Sequence, residues 1–341
     1  MTDLSITYAG AEYLDRTRAL QFGLVSPEGV DLTYLPINNV GELFRRMAQD
    51  AEFDVSEMSM STLMVMVSQG DDRLVGIPVF PSRAFRHSQI YIHAGSGIKE
   101  PEDLAGRNVG VPEYQMTAAL WQRALLQHEY GVAATDVHWW TGGLKTPEYH
   151  ERHHHSLPEG VTLDRIPADK ALEPMLEAGE IDAILHAHAP ESFRDGSPNV
   201  ARLFPNYRDE EMDYYRRTGL FPVMHTVVVR RDIYEANPWI VESLLDAFEA
   251  SKQLGYARMR DLDTLAIGHP WAADEWDSVR AEFGGDPFAY GFEANLDLLE
   301  AMTQYSDEQG LSDHKLDPVE LFAPEAVAWQ PTTDKDASRR A

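Results

Sequence analysis

Twice along this chain a strand-like run breaks into a polar loop and then into residues at helical spacing. Residues 4 to 9, L-S-I-T-Y-A, alternate like a strand and lead through E-Y-L-D-R-T into a short helix from Arg18 to Phe22. P-E-G at 27 to 29 is a turn, and V-D-L-T-Y-L-P predicts a second strand. Val40, Leu43, Phe44 and Met47 lie on one helical face, F-D-V-S-E is a short strand, and M-S-T-L-M-V-M-V is another helix. Further on, R-N-V-G-V reads as a strand, P-E-Y-Q-M-T as a loop, and Ala118, Trp121, Leu125 and Leu126 as one face of a helix. A-L-E-P-M-L-E-A-G-E-I-D-A-I-L then repeats the earlier helix, turn and strand. The likeness of the two halves is one of architecture more than of residues. Strands alternating with helices predict an α/β fold with mostly parallel sheets covered on both faces.

Two such units need two crossings. I-Y-I-H-A-G-S-G-I, residues 90 to 98, is a suitable outward crossing, and M-H-T-V-V-V-R-R, residues 224 to 231, a suitable return. The expected organisation is a discontinuous lobe of residues 1–92 plus 223–330, a second lobe of residues 93–222, and a disordered tail of residues 331–341. Ligands of open α/β sheets bind beyond the C-terminal ends of strands, so a cleft between the lobes is the expected site.

Charge narrows the guest. The chain of 341 residues carries a formal charge of -27, with no basic stripe, which argues against nucleic acid and against an anionic membrane surface. It has no cysteine, so disulfides, thiolate nucleophiles and cysteine-held metals are excluded. The N-terminus lacks a basic segment followed by a long apolar one, and the apolar run L-M-V-M-V is too short to span a bilayer. A cytoplasmic location is therefore expected, and a homo-oligomer is compatible with the sequence.

Against this acidity, V-F-P-S-R-A-F-R-H-S places Arg83, Arg86 and His87 together after an apolar strand. Arginine binds carboxylate as a planar fork, so a small anionic ligand is expected there, with surface ion pairing as the alternative. His225 stands just before an apolar strand at the return crossing, and His186 and His188 lie two apart in L-H-A-H-A-P, a spacing that suits a metal pair or a single pocket histidine. H-E-R-H-H-H-S, residues 150 to 156, predicts adventitious metal affinity more than a built site. Asp54 and Glu57 bracket Ser56; capping the next helix is the favoured role, metal binding the other. No H-E-x-x-H, Walker loop, G-x-G-x-x-G or G-x-S-x-G motif occurs.

I-K-E-P-E-D-L-A-G-R-N-V-G-V resembles the entry to the second domain of type II periplasmic-binding-protein folds. Y-L-D-R-T-R-A-L, E-F-D-V-S-E-M-S, I-P-V-F-P-S-R-A-F-R-H-S, F-P-V-M-H-T-V-V-V-R-R and G-D-P-F-A-Y-G resemble the 4,5-dihydroxyphthalate decarboxylase family, from about residue 4 to about residue 323. The resemblance implies a two-lobed fold that converts 4,5-dihydroxyphthalate to 3,4-dihydroxybenzoate and carbon dioxide. A ring carbon cannot release carbon dioxide as an aryl carbanion; it must first be protonated, with a para hydroxyl feeding in electrons. Such a site needs cations for the carboxylates and a general acid, but no organic cofactor. The residues assigned are His87, His225 and Arg83 for catalysis, and Arg16, Arg86, Ser59, Tyr114, Thr117 and His188 for binding. A divalent metal held by Glu57, His87 and His225 is the alternative role for that cluster, and a solute-binding protein for an aromatic or other carboxylate is the alternative function.

Overall fold

The computed structural model describes residues 3–147, 157–261, 263 and 267–331. The histidine tract at 150 to 156 and all of the expected tail beyond Pro331 lie outside the described residues. The first segment runs β1 (Leu4–Gly10), α1 (Arg18–Gln21), β2 (Val30–Pro36), α2 (Val40–Asp50), β3 (Val55–Ser59), α3 (Met60–Ser68) and β4 (Leu74–Arg83). The second runs β5 (Ile90–His93), β6 (Asn108–Val111), α4 (Thr117–Tyr130), β7 (His138–Thr141), β8 (Thr162–Arg165), α5 (Leu172–Ala178), β9 (Ala183–Leu185), α6 (Glu191–Arg194), β10 (Val200–Arg202) and α7 (Tyr207–Thr218). The chain then forms β11 (Val223–Arg230), α8 (Arg231–Ala236), α9 (Ile240–Met259), α10 (Ala272–Glu282), α11 (Leu296–Glu308) and α12 (Pro324–Ala328).

Two sheets result, with strand orders β2-β1-β3-β11-β4 and β10-β5-β9-β6-β7-β8. Both are mixed, and five of the nine strand pairings among the described residues are parallel, as the alternating pattern predicted for most. β1 pairs in parallel with β2 and β3, and β6 with β7 and β9, as does β7 with β8. The antiparallel pairs all involve the strands that enter a sheet from the other one: β5 with β9 and β10, and β11 with β3 and β4. A strand arriving from a neighbouring sheet is not bound by the βαβ crossover that forces parallel order.

Helix α4 joins the two halves. The sequence assigned it one apolar face, yet every residue from Thr117 to Leu126 is buried. The reason is that α4 packs on β9 of one sheet and also against β11, α3 and α11. Trp121 Nε1 donates to the Val223 carbonyl at 3.0 Å, and Gln309 Nε2 donates to the Leu120 carbonyl at 3.0 Å. Removing the buried Trp121 side chain would cost about 3–5 kcal/mol. A single apolar cluster accordingly runs from Ile6 and Val55 through Trp121 to Val109 and Trp139. Among the described residues no helix is long and apolar enough to cross a membrane.

Candidate functional site

The loop after β1 is fixed before any chemistry is considered. The Tyr13 carbonyl accepts the backbone N–H groups of Thr17 and Arg18, at 3.2 and 3.1 Å. Thr17, wholly buried, accepts from the Tyr13 N–H at 3.2 Å through its hydroxyl. Helix α9 presses on this loop through Gly255, where a Cβ would stand only 1.9 Å from the Asp15 carbonyl oxygen. No larger residue fits there, and the close approach holds Tyr13 over the end of β3.

On β3 all five residues are buried, Glu57 among them at 0 % exposure. β11 lies antiparallel beside it, pairing His225 with Ser59 and Val227 with Glu57. Residues at this diagonal offset share a face, so His225 reaches back to Glu57. A register shift on either side of His225, where β11 meets β4, bends the strand at that point. His225 Nδ1 and Glu57 Oε1 are 2.6 Å apart. The Tyr13 hydroxyl donates to the same oxygen at 2.6 Å, and the Ala11 N–H donates to Oε2 at 2.9 Å. Burial by itself would raise the Glu57 carboxyl, but the His225 bond and charge, then Tyr13 and Ala11, outweigh it and bring the carboxyl below its ordinary range. Burial and the neighbouring Glu57 charge push the Tyr13 phenol far up, so it stays a donor. His225 keeps 17 % side-chain exposure and leaves Nε2 without a protein partner among the described residues. Neither Glu57 nor Asp54 caps α3, as the sequence had suggested: Asp54 accepts from the Thr7 N–H at 2.9 Å and its hydroxyl at 3.0 Å.

On one side of His225 two helix N-termini meet. The N-caps of α3 and α4, Ser59 and Met116, make no side-chain capping bond of their own. Instead the Thr117 hydroxyl accepts from the Ser61 N–H at 3.1 Å and shares a hydrogen bond with Ser59 Oγ at 2.9 Å. The Ser61 hydroxyl in turn donates to the Gln115 carbonyl. Ser59 and Thr117 are thus brought together as expected for one site, at the seam between the sheets.

On the other side lies Arg86, buried at 7 % exposure. Its Nε contacts Met224 Sδ at 3.1 Å, and Nη1 makes a long bond of 3.4 Å to the Ala187 carbonyl. It forms no ion pair among the described residues, and burial, only partly offset by Glu211, lowers it to about 10, so it remains a cation at neutral pH. His188 stands near both: its pKa is lowered by burial first, then by the charges of Arg86 and His225 among others. His186 lies beside His188, and its Nδ1 meets the carbonyl and the N–H of His188 at 3.0 and 3.1 Å.

The remaining sequence candidates have other partners. Arg83 donates to the carbonyls of Phe221 and Ala289 and to Asn295 Oδ1, which ties β4 to the C-terminal segment and not to His225. His87 is buried between the rings of Phe204 and Tyr214, at 5.2 and 5.4 Å, with no partner on Nδ1 among the described residues. Burial, helped by Arg217, holds it down at about 4, so it is neutral at pH 7. Arg16 lies between the Tyr13 and Phe288 rings and pairs with Asp15 at 3.1 Å. Tyr114 packs under Arg123, whose guanidinium carbon sits 3.7 Å from its ring centre. The trio Glu57, His87 and His225 does not assemble, because His87 is enclosed by its aromatic neighbours; among the described residues no three histidine or acidic groups converge on a metal position. Tyr13 joins Glu57 through its hydroxyl, and the Gln115 carbonyl joins Ser61, although the sequence marked only the loops that carry them.

A separate cavity of about 1030 Å³ opens where β1 starts beside α9, lined by Asp3, Glu28, Trp239, Glu242 and Asp246 among others. Its acidic wall would repel a dianion.

The chain is 38% identical over 327 residues to a 4,5-dihydroxyphthalate decarboxylase of Comamonas testosteroni, covering 96% of this chain and 98% of that one. A 4,5-dihydroxyphthalate decarboxylase of Pseudomonas putida is 37% identical over 216 residues, covering 63% of this chain and 83% of the relative. Among solved structures, the periplasmic aliphatic sulphonate binding protein of Escherichia coli superposes with a TM-score of 0.54 at 14% identity, covering 94% of this chain and 97% of the other. A desulfurization enzyme superposes with a TM-score of 0.50 at 15% identity, covering 95% and 97%. At such identities these neighbours establish the fold, that of the periplasmic binding proteins, and nothing about the guest. No family model matches the chain.

Proposed function

The chain belongs to the 4,5-dihydroxyphthalate decarboxylase family, and we propose that its cleft converts 4,5-dihydroxyphthalate to 3,4-dihydroxybenzoate and carbon dioxide with His225 as the acid that protonates the ring. The protein is a carboxy-lyase, and the arrangement around Glu57 supports that reading over simple solute binding. A receptor for an anion gains nothing from a buried carboxylate behind its binding surface, since that charge opposes the ligand. An acid catalyst does gain: the carboxylate holds Nδ1–H, aims Nε2 outward and stabilises the imidazolium before transfer.

The step balances as follows. The para hydroxyl pushes an electron pair into the ring, and the carbon bearing the carboxylate takes the proton from His225 Nε2. The hydroxyl's own proton passes to solvent, leaving a dienone-like intermediate. The carbon–carboxylate bond then breaks, its electron pair restores aromaticity, and carbon dioxide leaves. One proton re-forms the phenol and one is consumed overall. Arg86 binds the spectator carboxylate, because a tight pairing with the reacting one would stabilise the ground state. His188 and the hydroxyls of Ser59 and Thr117 border the ring. No organic cofactor is needed, since the phenol supplies the electrons.

The single observation that carries this reading is the 2.6 Å contact of His225 with a fully buried Glu57. The test is incubation of the purified protein with 4,5-dihydroxyphthalate, following 3,4-dihydroxybenzoate by chromatography and carbon dioxide by trapping. His225→Ala should lower turnover by at least about tenfold, or 1.4 kcal/mol of barrier, with an unchanged circular dichroism spectrum. Tight binding by the wild type without product would instead establish a solute-binding protein.

A further inference from the structure

Gln115 is 1 % exposed, yet neither Oε1 nor Nε2 of its side chain has a hydrogen-bond partner among the described residues. A buried carboxamide with both ends open is expensive, and native structures rarely tolerate one without a use. Its place gives the use. Gln115 lies in the loop between β6 and α4, at the C-terminal end of a strand, where ligands of such sheets bind. Its own carbonyl accepts the Ser61 hydroxyl from the start of α3, so the residue sits where the two lobes touch. Two positions on, Thr117 bonds Ser59, and Ser59 is the cross-strand partner of His225.

The strand order then orients the substrate. Passing across the first sheet, β3 presents Ser59, β11 presents His225, and beyond β4 comes Arg86. Neighbouring strands are about 4.8 Å apart, so β3 to β4 spans roughly 10 Å, the length of a substituted benzene ring. With the carboxylate end at Arg86 and the reacting carbon at His225, the hydroxyl end falls on the Gln115 side.

We propose that Gln115 is the specificity residue that reads the pair of adjacent ring hydroxyls, a role that rests on the decarboxylase reading above. A carboxamide offers one donor and one acceptor on neighbouring atoms. A catechol edge, with one hydroxyl donating and the next accepting, meets both. A carboxylate offers only acceptors and leaves Oε1 opposed, and a ring lacking one hydroxyl leaves one end of the buried carboxamide unpaired. Sites built to pair a substrate hydroxyl reject the analogue that lacks it far more strongly than apolar pockets reject a missing methylene.

The test compares 4,5-dihydroxyphthalate with 4-hydroxyphthalate, which keeps the hydroxyl para to one carboxylate and so keeps the electronic requirement of the reaction. The wild type should favour the dihydroxy acid by about tenfold or more in kcat/KM, and Gln115→Leu and Gln115→Met should remove most of that preference by lowering the dihydroxy rate alone. The melting temperature of ligand-free Gln115→Leu should equal or exceed that of the wild type, because an unpaired group has been removed. A wild type without the preference, variants that lose both substrates in equal proportion or keep the wild-type ratio, or a lower melting temperature for Gln115→Leu would each overturn the assignment. A wild type that releases carbon dioxide from neither acid overturns the decarboxylase reading itself, whatever the variants do.

Discussion

Replacing Glu57 by glutamine tests the heart of the site with almost no change of shape. The carboxylate accepts three hydrogen bonds: two at Oε1, from Tyr13 and His225 at 2.6 Å each, and one at Oε2, from Ala11 at 2.9 Å. A glutamine has one acceptor oxygen. Turned towards Tyr13 and His225, it would set its NH₂ against the Ala11 N–H, donor against donor, and strand a buried backbone group at a cost of about 1–3 kcal/mol. Turned the other way it satisfies Ala11, and its NH₂ donates to His225 Nδ1. That orientation keeps the fold and fixes the ring as a neutral imidazole that has lost its counter-charge. A hydrogen bond to a charged group contributes about 1.5–3 kcal/mol, which converts to a fall of roughly 10- to 150-fold in kcat/KM. KM should change little, because Glu57 does not touch the substrate. Initial rates over a substrate series, with circular dichroism as the fold control, decide the matter. Wild-type kcat/KM would refute the reasoning and leave Glu57 as a buried anchor between β3 and the loop after β1.

Arg86→Lys keeps the charge but loses the planar fork, so KM should rise by about tenfold while kcat stays within about threefold; initial-rate kinetics separate the two. His87→Phe should leave turnover unchanged and alter acid stability. The folded His87 titrates at about 4, below the ordinary 6.5, so the unfolded chain binds a proton that the folded one refuses. Its stabilising effect is complete above about pH 6.5 and is lost as the pH falls towards 4. Urea midpoints should therefore show the Phe variant gaining on the wild type between pH 7 and pH 5; an equal difference at both values would contradict a neutral buried imidazole.

The elements that position the site were legible because their signals are local. The strand patterns at 4 to 9 and 30 to 36, the helix that begins after F-D-V-S-E and the loop P-E-Y-Q-M-T all stand where the sequence put them. Of the residues the sequence proposed, Ser59 and Thr117 lie 2.9 Å apart, and Ser59 is the cross-strand partner of His225. The sequence grouped Glu57 with His225 and His87 only as candidate metal ligands; the direct hydrogen bond of Glu57 to His225 was not legible. The two lie 168 positions apart, and only the antiparallel register of β11 on β3 puts them on one face. A slip of one residue would turn His225 to the opposite face, and no local pattern encodes that choice. His87 and Arg83 misled for a related reason. They are neighbours of Arg86 in sequence, but the chain leaves β4 at Arg83 and turns through a short 3₁₀ segment at His87–Gln89. Residues that are adjacent there diverge, one to the aromatic wall of Phe204 and Tyr214 and one to the carbonyls of Phe221 and Ala289.

The charge balance bears on which arginine faces the substrate. With 56 acidic residues against 29 basic ones, a guanidinium has carboxylates in excess around it, and Arg46, Arg73 and Arg230 each hold one within 2.7 Å. The buried Arg86 and Arg123 and the half-buried Arg83 hold none among the described residues. Two of them are provided for by neutral acceptors: Arg83 by two carbonyls and Asn295, Arg123 by Gln309 and the Tyr114 carbonyl. Arg86 has a thioether and one long carbonyl contact, and its nearest countercharge, Glu211, is spent on the Ser88 N–H at 2.9 Å. A buried cation so weakly compensated in so acidic a protein is stabilised most by an anion that comes and goes. Ionic screening over about 10 Å keeps the distant surface charge from opposing that anion. The same under-compensation explains why Arg86, and not the better satisfied Arg83, is the residue whose replacement should be felt in KM.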